Sequence, residues 1–273
     1  MKVVLFCGGA GLRLRGYADD VPKPMVTIGN RPILWHLMKY YAHFGHTDFI
    51  LCLGHMGNCI KDYFLRYDES VSNDFIWSRG GKKIDYLSRD IDDWKITFVE
   101  TGANSNIGGR LRAVQPHLEG EDTFLANYGD GLSDLSLPTM IATFQESKAV
   151  ASMMVVQPTS SFDIVNTSSD GIVEKISPVA QSDIWINGGF FVMRKEIFDY
   201  IKPGEELVRE PFQRLIEKQA LLAYKYSGFW QCMDTFKDRQ HLEELNHSTA
   251  PWKIWKQTPK ESSSDSKVIS TRT

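Results

Sequence analysis

The sequence predicts an α/β fold built on a parallel or mostly parallel sheet covered on both faces. Two observations carry that expectation. Short apolar runs of strand length alternate with stretches of helical spacing along most of the chain. The first run, Val3-Val4-Leu5-Phe6-Cys7, is apolar throughout, as a strand buried on both faces is, and it ends at Gly8-Gly9.

The elements follow in order. Residues 2–7 form a strand feeding a glycine loop, and residues 13–24 are too polar and broken for regular structure. Ile33, Leu34, Leu37, Met38, Tyr41 and Phe44 keep helical spacing, with Asn30 as a cap, Pro32 in the first turn and Gly45 as the stop. Residues 48–53 predict a second strand and 57–67 a second helix. Residues 96–100 and 123–128 predict further strands, followed by a helix over 138–147 and a strand over 150–156. Two short runs around Asp170-Gly171 within 162–176 predict a hairpin. Residues 186–193 predict a strand interrupted by Gly188-Gly189, and 209–219 and 236–245 predict helices. No internal repeat is visible.

Composition excludes several function classes. The 273 residues are 42% hydrophobic, enough for a sizeable core. They carry 31 basic against 34 acidic side chains, and a net charge of -3 argues against an electrostatic nucleic-acid binder. No run of 18 apolar residues is present to cross a membrane. The apolar start is too short for a signal-peptide core, which places the expected protein in the cytoplasm. Cys7, Cys52, Cys59 and Cys232 form no Cys-x-x-Cys pair, so buried thiols are expected rather than a disulfide framework or a zinc site. Residues 257–273 contain only Val268 and Ile269 from the hydrophobic class and read as a disordered tail after a body spanning 1–256.

Ligands of such sheets sit beyond the carboxyl ends of the strands. That makes the loop Gly8-Gly9-Ala10-Gly11-Leu12-Arg13 a candidate phosphate cradle. Its glycines permit close backbone approach, and Arg13 can bridge two oxygens. The alternative is an ordinary tight turn. The spacing fits neither the dinucleotide fingerprint, since Leu14 stands where the last glycine belongs, nor the P-loop. Pro22 and Pro24 restrict the backbone around Lys23, a second candidate phosphate clamp. In Tyr128-Gly129-Asp130-Gly131 an acid lies between glycines just past a strand, which suits Mg²⁺. Asp234 supplies another acid in an aromatic-rich segment. Beside Lys175, Glu174 can hydrogen-bond sugar hydroxyls, as can Asn187, and Gly188-Gly189 open room for a ring. A surface ion pair and a β-bulge would explain the same residues.

Taken together and in this order, these segments resemble the sugar nucleotidyltransferase family. That family's signature, Gly-Gly-x-Gly-(Thr/Ser)-Arg-Leu followed by Lys-Pro, is matched by Gly8 to Leu14 and by Lys23-Pro24, with Leu12 at the Thr/Ser position. The likeness is nearest to the cytidylyltransferase branch. It extends through Gly108-Gly109-Arg110-Leu111, Tyr128-Gly129-Asp130-Gly131, Ile186-Asn187-Gly188-Gly189 and Met233-Asp234-Thr235 to about Trp255. The family's Glu-Lys-Pro appears as Glu174-Lys175-Ile176.

The resemblance implies a single-domain, Rossmann-like mixed sheet flanked by helices. It implies the reaction of a nucleoside triphosphate, CTP in this branch, with a sugar 1-phosphate, there glucose 1-phosphate, to give a nucleotide sugar and pyrophosphate. By the same resemblance Gly8, Gly9, Gly11 and Arg13 hold the triphosphate tail. Lys23 and Arg13 neutralise charge at the attacked phosphorus, and Asp130 and Asp234 bind Mg²⁺. Gly108, Gly109 and Arg110 lie by the base, while Glu174, Lys175, Asn187 and Gly188 hold the sugar phosphate. A homo-oligomer is implied as well. Two alternatives stay open: the same chemistry with another base or acceptor, and a catalytically weak nucleotide-sugar binder that regulates a partner.

Overall fold

In the computed structural model, which describes residues 1–9, 21–158 and 162–256, strands and helices alternate from the first strand onward. The first half contains β1 (Val3–Phe6), β2 (Thr27–Ile28), β3 (Arg31–Pro32), α1 (Ile33–His43), β4 (Asp48–Leu53), α2 (Gly57–Leu65), β5 (Phe75–Ser78), β6 (Lys83–Tyr86), β7 (Lys95–Glu100), α3 (Ile107–Val114) and β8 (Thr123–Asn127). The second half contains β9 (Gly131–Ser133), α4 (Leu137–Glu146), β10 (Ala151–Val156), β11 (Asp163–Thr167), β12 (Val173–Pro178), β13 (Ile186–Arg194), α5 (Glu210–Glu217), β14 (Leu221–Tyr226), β15 (Trp230–Cys232) and α6 (Phe236–His247).

Seven strands make the main sheet in the order β14-β10-β13-β8-β1-β4-β7. The pairs β8–β1, β1–β4, β4–β7 and β10–β14 are parallel, and β13 alone runs against both neighbours. The fold is therefore the expected mixed, mostly parallel sheet flanked by helices. Successive residues of β1 show why its run is apolar throughout. Val3 and Leu5 enter one core with α1, whereas Val4 and Phe6 enter the other with α3 and α5. No described helix is long and apolar enough to cross a membrane.

Three local readings differ from the structure. Asn30 does not cap α1; the residue before the helix is Pro32, whose fixed φ leads directly into it, and Asn30 lies in the β2–β3 turn. β13 spans Ile186–Arg194 without a break, yet Gly188-Gly189 do mark a bulge in it: Met153 of β10 faces Phe191 and Val155 faces Asn187, which leaves residues 188–190 opposite Met154 alone. Helix α3 was not anticipated, because Gly108-Gly109 opens it. Asn106 compensates by accepting a hydrogen bond from the Gly109 amide at 2.8 Å. The four cysteines are free, with Cys7 and Cys52 buried as expected.

The C-terminal tryptophans close over their own chain. Trp252 is fully buried, stacks on Phe229 and donates from Nε1 to His36 Nδ1 at 3.3 Å. The other nitrogen of His36 lies 3.0 Å from the Ile28 carbonyl. A neutral ring protonated at Nε2 satisfies both partners; a second proton would face the indole N–H. Burial, reinforced by Lys253, Lys256 and Arg31, lowers the His36 pKa to about 3. Above pH 6.5 both folded and unfolded chains hold this ring neutral. Between there and about pH 3 only the unfolded chain binds the proton, so stability falls with pH across that window. At about 1.4 kcal/mol per pH unit, His36 accounts for roughly 2 kcal/mol lost between pH 7 and 5. Urea unfolding at the two pH values measures it. The His36→Gln variant is expected to lose that much less; an equal loss would remove His36 as the cause.

Candidate active site

The site forms where β1, β4 and β8 end. β1 delivers Gly8 and β4 delivers Gly54, and the parallel register Phe6↔Cys52 carries the two glycines to matching heights. Between them lies the Arg110 guanidinium from α3, 2% exposed for the whole residue. It donates to the Gly8 carbonyl at 2.8 Å, the Leu53 carbonyl at 3.1 Å and Thr101 Oγ1 at 2.7 Å. A Cβ on Gly8 would overlap the guanidinium, and one on Gly54 would lie 2.7 Å from both Arg110 Nη1 and the Gly8 oxygen. The glycine at the end of β1 is thus required by the guanidinium packed beneath it. Arg110 braces the start of the loop, with its donors directed to protein oxygens.

Past β8 the chain turns sharply. Asn127 Oδ1 accepts from the Gly129 amide at 3.0 Å, and Gly129 has φ +80°, a conformation that favours glycine. Asp130 follows, and then β9. The short β9 pairs antiparallel with β15, with Gly131 opposite Cys232. One step beyond, the Met233 amide donates to the Asp130 carbonyl at 2.9 Å. This pairing sets Asp130 beside Asp234. Asp234 in turn precedes α6, where Thr235 and Asp238 form a reciprocal cap and Asp238 also accepts from the Asp234 amide at 3.0 Å.

Lys23 completes the cluster from the single turn Lys23–Met25, held by Pro22 and Pro24. Its Nζ lies 2.6 Å from Asp130 Oδ2 and also bonds Asp234 Oδ1. Burial pulls the Lys23 pKa down, but Asp130 and Asp234 outweigh it and hold the ammonium above the usual lysine range. Burial raises the Asp130 pKa, against Lys23 and with the support of Asp234. Two ionised carboxylates around one ammonium leave a net charge of -1 in a partly buried site. The donor set fits a hard cation. Among the described residues no group of three or more His, Cys, Asp or Glu gathers to enclose a metal. Two carboxylates completed by waters and phosphate oxygens are the usual surroundings of Mg²⁺.

The remaining predicted residues are spread around this edge. Gly9 is exposed beyond Gly8, and Gly11 and Arg13 lie outside the described residues. Gly108 and Gly109 sit in the first turn of α3, where a Cβ on Gly108 would overlap the Glu205 carbonyl oxygen. Asn187 donates to the Tyr128 hydroxyl at 2.9 Å and accepts from the Gly189 amide. The Gly188 carbonyl accepts from Trp230 Nε1 at 2.8 Å. These contacts tie the start of β13 to the turn carrying Asp130 and to β15. Glu174 and Lys175 lie on the exposed β11–β12 hairpin, and neither makes an ion pair or side-chain hydrogen bond among the described residues. In that hairpin Asn166 pairs with Lys175 and Thr167 with Val173, so Glu174 is the extra, bulged residue. Strict alternation would send neighbouring Glu174 and Lys175 to opposite faces; a bulge at Glu174 relaxes that rule. Gly54, Tyr128 and Trp230 carry site geometry that sequence reasoning missed. For Gly54 a signal existed, since it stands at the end of the second strand as Gly8 does at the end of the first.

The chain belongs to the nucleotidyl transferase family, whose sequence profile matches residues 2–238. It is 36% identical over 264 residues to a Bacillus subtilis (strain 168) protein named "Probable glucose-1-phosphate cytidylyltransferase", covering 93% of this chain and all of that one. It is likewise 36% identical over 258 residues to the glucose-1-phosphate cytidylyltransferase of Salmonella typhimurium (strain LT2), again covering 93% of this chain and all of that one. Among solved structures, HddC from Yersinia pseudotuberculosis superposes with a TM-score of 0.64 at 20% identity, over 90% of this chain and 99% of that one. These likenesses extend over nearly the whole described body. Residues 257–273 lie outside the described residues.

Proposed function

We propose that the protein is a sugar-1-phosphate cytidylyltransferase, joining CTP and a sugar 1-phosphate to give a CDP-sugar and pyrophosphate. The observation that carries this reading is the convergence of Lys23, Asp130 and Asp234 on one point at the carboxyl edge of the sheet. The names of the 36%-identical relatives support CTP and glucose 1-phosphate as the substrates.

In this reading Asp130 and Asp234 hold Mg²⁺, which when bound screens the triphosphate and stabilises charge at the α-phosphate. Gly8, Gly9, Gly11 and Arg13 take the triphosphate tail, and Gly108 and Gly109 border the base, while Arg110 braces the Gly8 carbonyl from beneath instead of meeting the nucleotide. Asn187, Gly188, Glu174 and Lys175 take the sugar phosphate. The nucleophile is a phosphate oxygen that is already anionic, so no protein base is required. The chain supplies alignment for in-line attack and positive charge, from Lys23 above all. The cytoplasm, where CTP is available, is the compartment this reading requires. A homo-oligomer belongs to the same reading, and the β5–β6 hairpin, with Ile76 and Trp77 more than half exposed, offers apolar surface for it.

Pyrophosphate release with each NTP and several sugar 1-phosphates, with and without Mg²⁺, tests the proposal. CTP with glucose 1-phosphate is expected to be fastest, and turnover is expected to vanish without Mg²⁺. Preference for another pair would reassign the base or acceptor. Ile176, standing where the family has proline, is the residue that favours a different acceptor. No release with any pair would leave a nucleotide-sugar binder.

A further inference from the structure

A second concavity of about 650 Å³ lies between the β2–β3 turn, the start of α1, the loop 70–74 and the end of α6. It shares no lining residue with the Lys23 cluster. Three cations line it, Arg31, Lys253 and Lys256, and none forms an ion pair among the described residues. Arg31 is only 4% exposed, yet its partners are neutral: Ser72 Oγ at 2.6 Å, the Tyr63 hydroxyl at 3.2 Å and the Asp68 carbonyl at 2.7 Å. Lys253 donates to Asn246 Oδ1 at 2.5 Å.

Two acids also line the cavity. Asp90 is bound by Lys39 at 3.1 Å, which leaves Asp74 as the acid without an ion pair there. Glu243 stands nearby but is engaged by the Gly29 amide and Arg239. Arg31 is partly compensated, because Asp68 lies near it and Asp90 accepts from the Ser72 hydroxyl that it also bonds, so the cations left with little compensation are Lys253 and Lys256. Burial, and then Lys256, hold the Lys253 pKa below the usual lysine range. A buried or half-buried cation without a counter-ion is costly, and an oxyanion placed among these three removes that cost. In a chain of net charge -3, such a concentration of positive charge outside the substrate site calls for an explanation.

We propose that this cavity is an effector site for a small phosphate-bearing anion. Two connections give it a physical route to the catalytic edge. The segment that starts with Lys23 runs through β2 into the Gly29–Arg31 floor of the cavity. Helix α6 starts beside Asp234 and ends at Asn246 and His247 in its wall. The effector role rests on the nucleotidyl-transfer reading, whereas anion binding does not.

Inorganic phosphate, titrated calorimetrically into the full chain, is the probe. The Lys253→Glu/Lys256→Glu variant is expected to lose at least tenfold in affinity for one class of site, and Lys23→Ala is expected to keep that class. Lys253→Gln/Lys256→Gln, milder for folding, should show the same loss in part. Equal binding by wild type and both double variants overturns the site. The second readout is kcat at saturating substrates, where competition at the catalytic edge is absent. Phosphate is expected to change it at least twofold in wild type and not in the Glu variant. A phosphate effect surviving in that variant, or absent from wild type, overturns the effector role.

Discussion

The Asp130→Ala variant is expected to lose about 10²–10³-fold in kcat while remaining folded. Asp130 sits at the one point where a lysine and a second acid meet it, 2.6 Å from Lys23 Nζ. Its removal takes away half of the carboxylate set proposed to hold Mg²⁺ and frees Lys23 to pair with Asp234 alone. The backbone contact that builds the site, from the Met233 amide to the Asp130 carbonyl, survives the substitution. The unfolding midpoint should therefore move little, so that the loss reads as chemistry. Single-turnover kinetics at saturating Mg²⁺ checks it, and near-normal turnover would remove Asp130 from the mechanism.

The second large effect concerns Arg110. Its guanidinium holds oxygens from three segments, at Gly8, Leu53 and Thr101, in a slot that glycines keep open. In Arg110→Ala the Gly8 carbonyl loses its partner and a cavity opens beneath the loop. Hydrogen bonds to a charged donor contribute about 1.5–3 kcal/mol each, and partial collapse of the slot recovers some of that. We expect a loss of roughly 3 kcal/mol, or about 6–10 °C in Tm. Arg110→Lys should recover little, because a single ammonium cannot span oxygens that a planar fork reaches. Scanning calorimetry on the three proteins measures this. Unchanged stability in the alanine variant would mean that the brace contributes nothing.

The fold was legible because the strands are buried on both faces. Runs such as Val3 to Cys7 and residues 49–53 have no polar member to confuse their reading, and helix α1 keeps its spacing through Phe44. The short pieces were not legible. β9 and β15 have three residues each, and what makes them strands is each other, a pairing across the chain that no local pattern records. Helix α3 hid behind two glycines, of which Gly108 packs tightly against the Glu205 carbonyl and Gly109 against the capping Asn106, tertiary and capping reasons that override helix propensity. The site was half legible. Its residue types could be picked out beside glycines and prolines, but that Lys23 would bridge Asp130 and Asp234 depended on the β9–β15 register. The family resemblance set Arg110 beside the base; burial turned its donors inward.

The β9–β15 pairing also sets a schedule. Strand β15 and Asp234 leave the ribosome late, and Trp252 later still, whereas Gly8, Lys23 and Asp130 emerge early. A nascent chain halted before β15 possesses the glycine edge and one acid, but not the second, and nothing fixes the turn at Asp130 against it. Such fragments hold every strand of the main sheet but lack Asp234, and with it the second acid proposed to grip a metal. In the proposed reading, competence to handle a triphosphate therefore arrives only with the last quarter of the polypeptide.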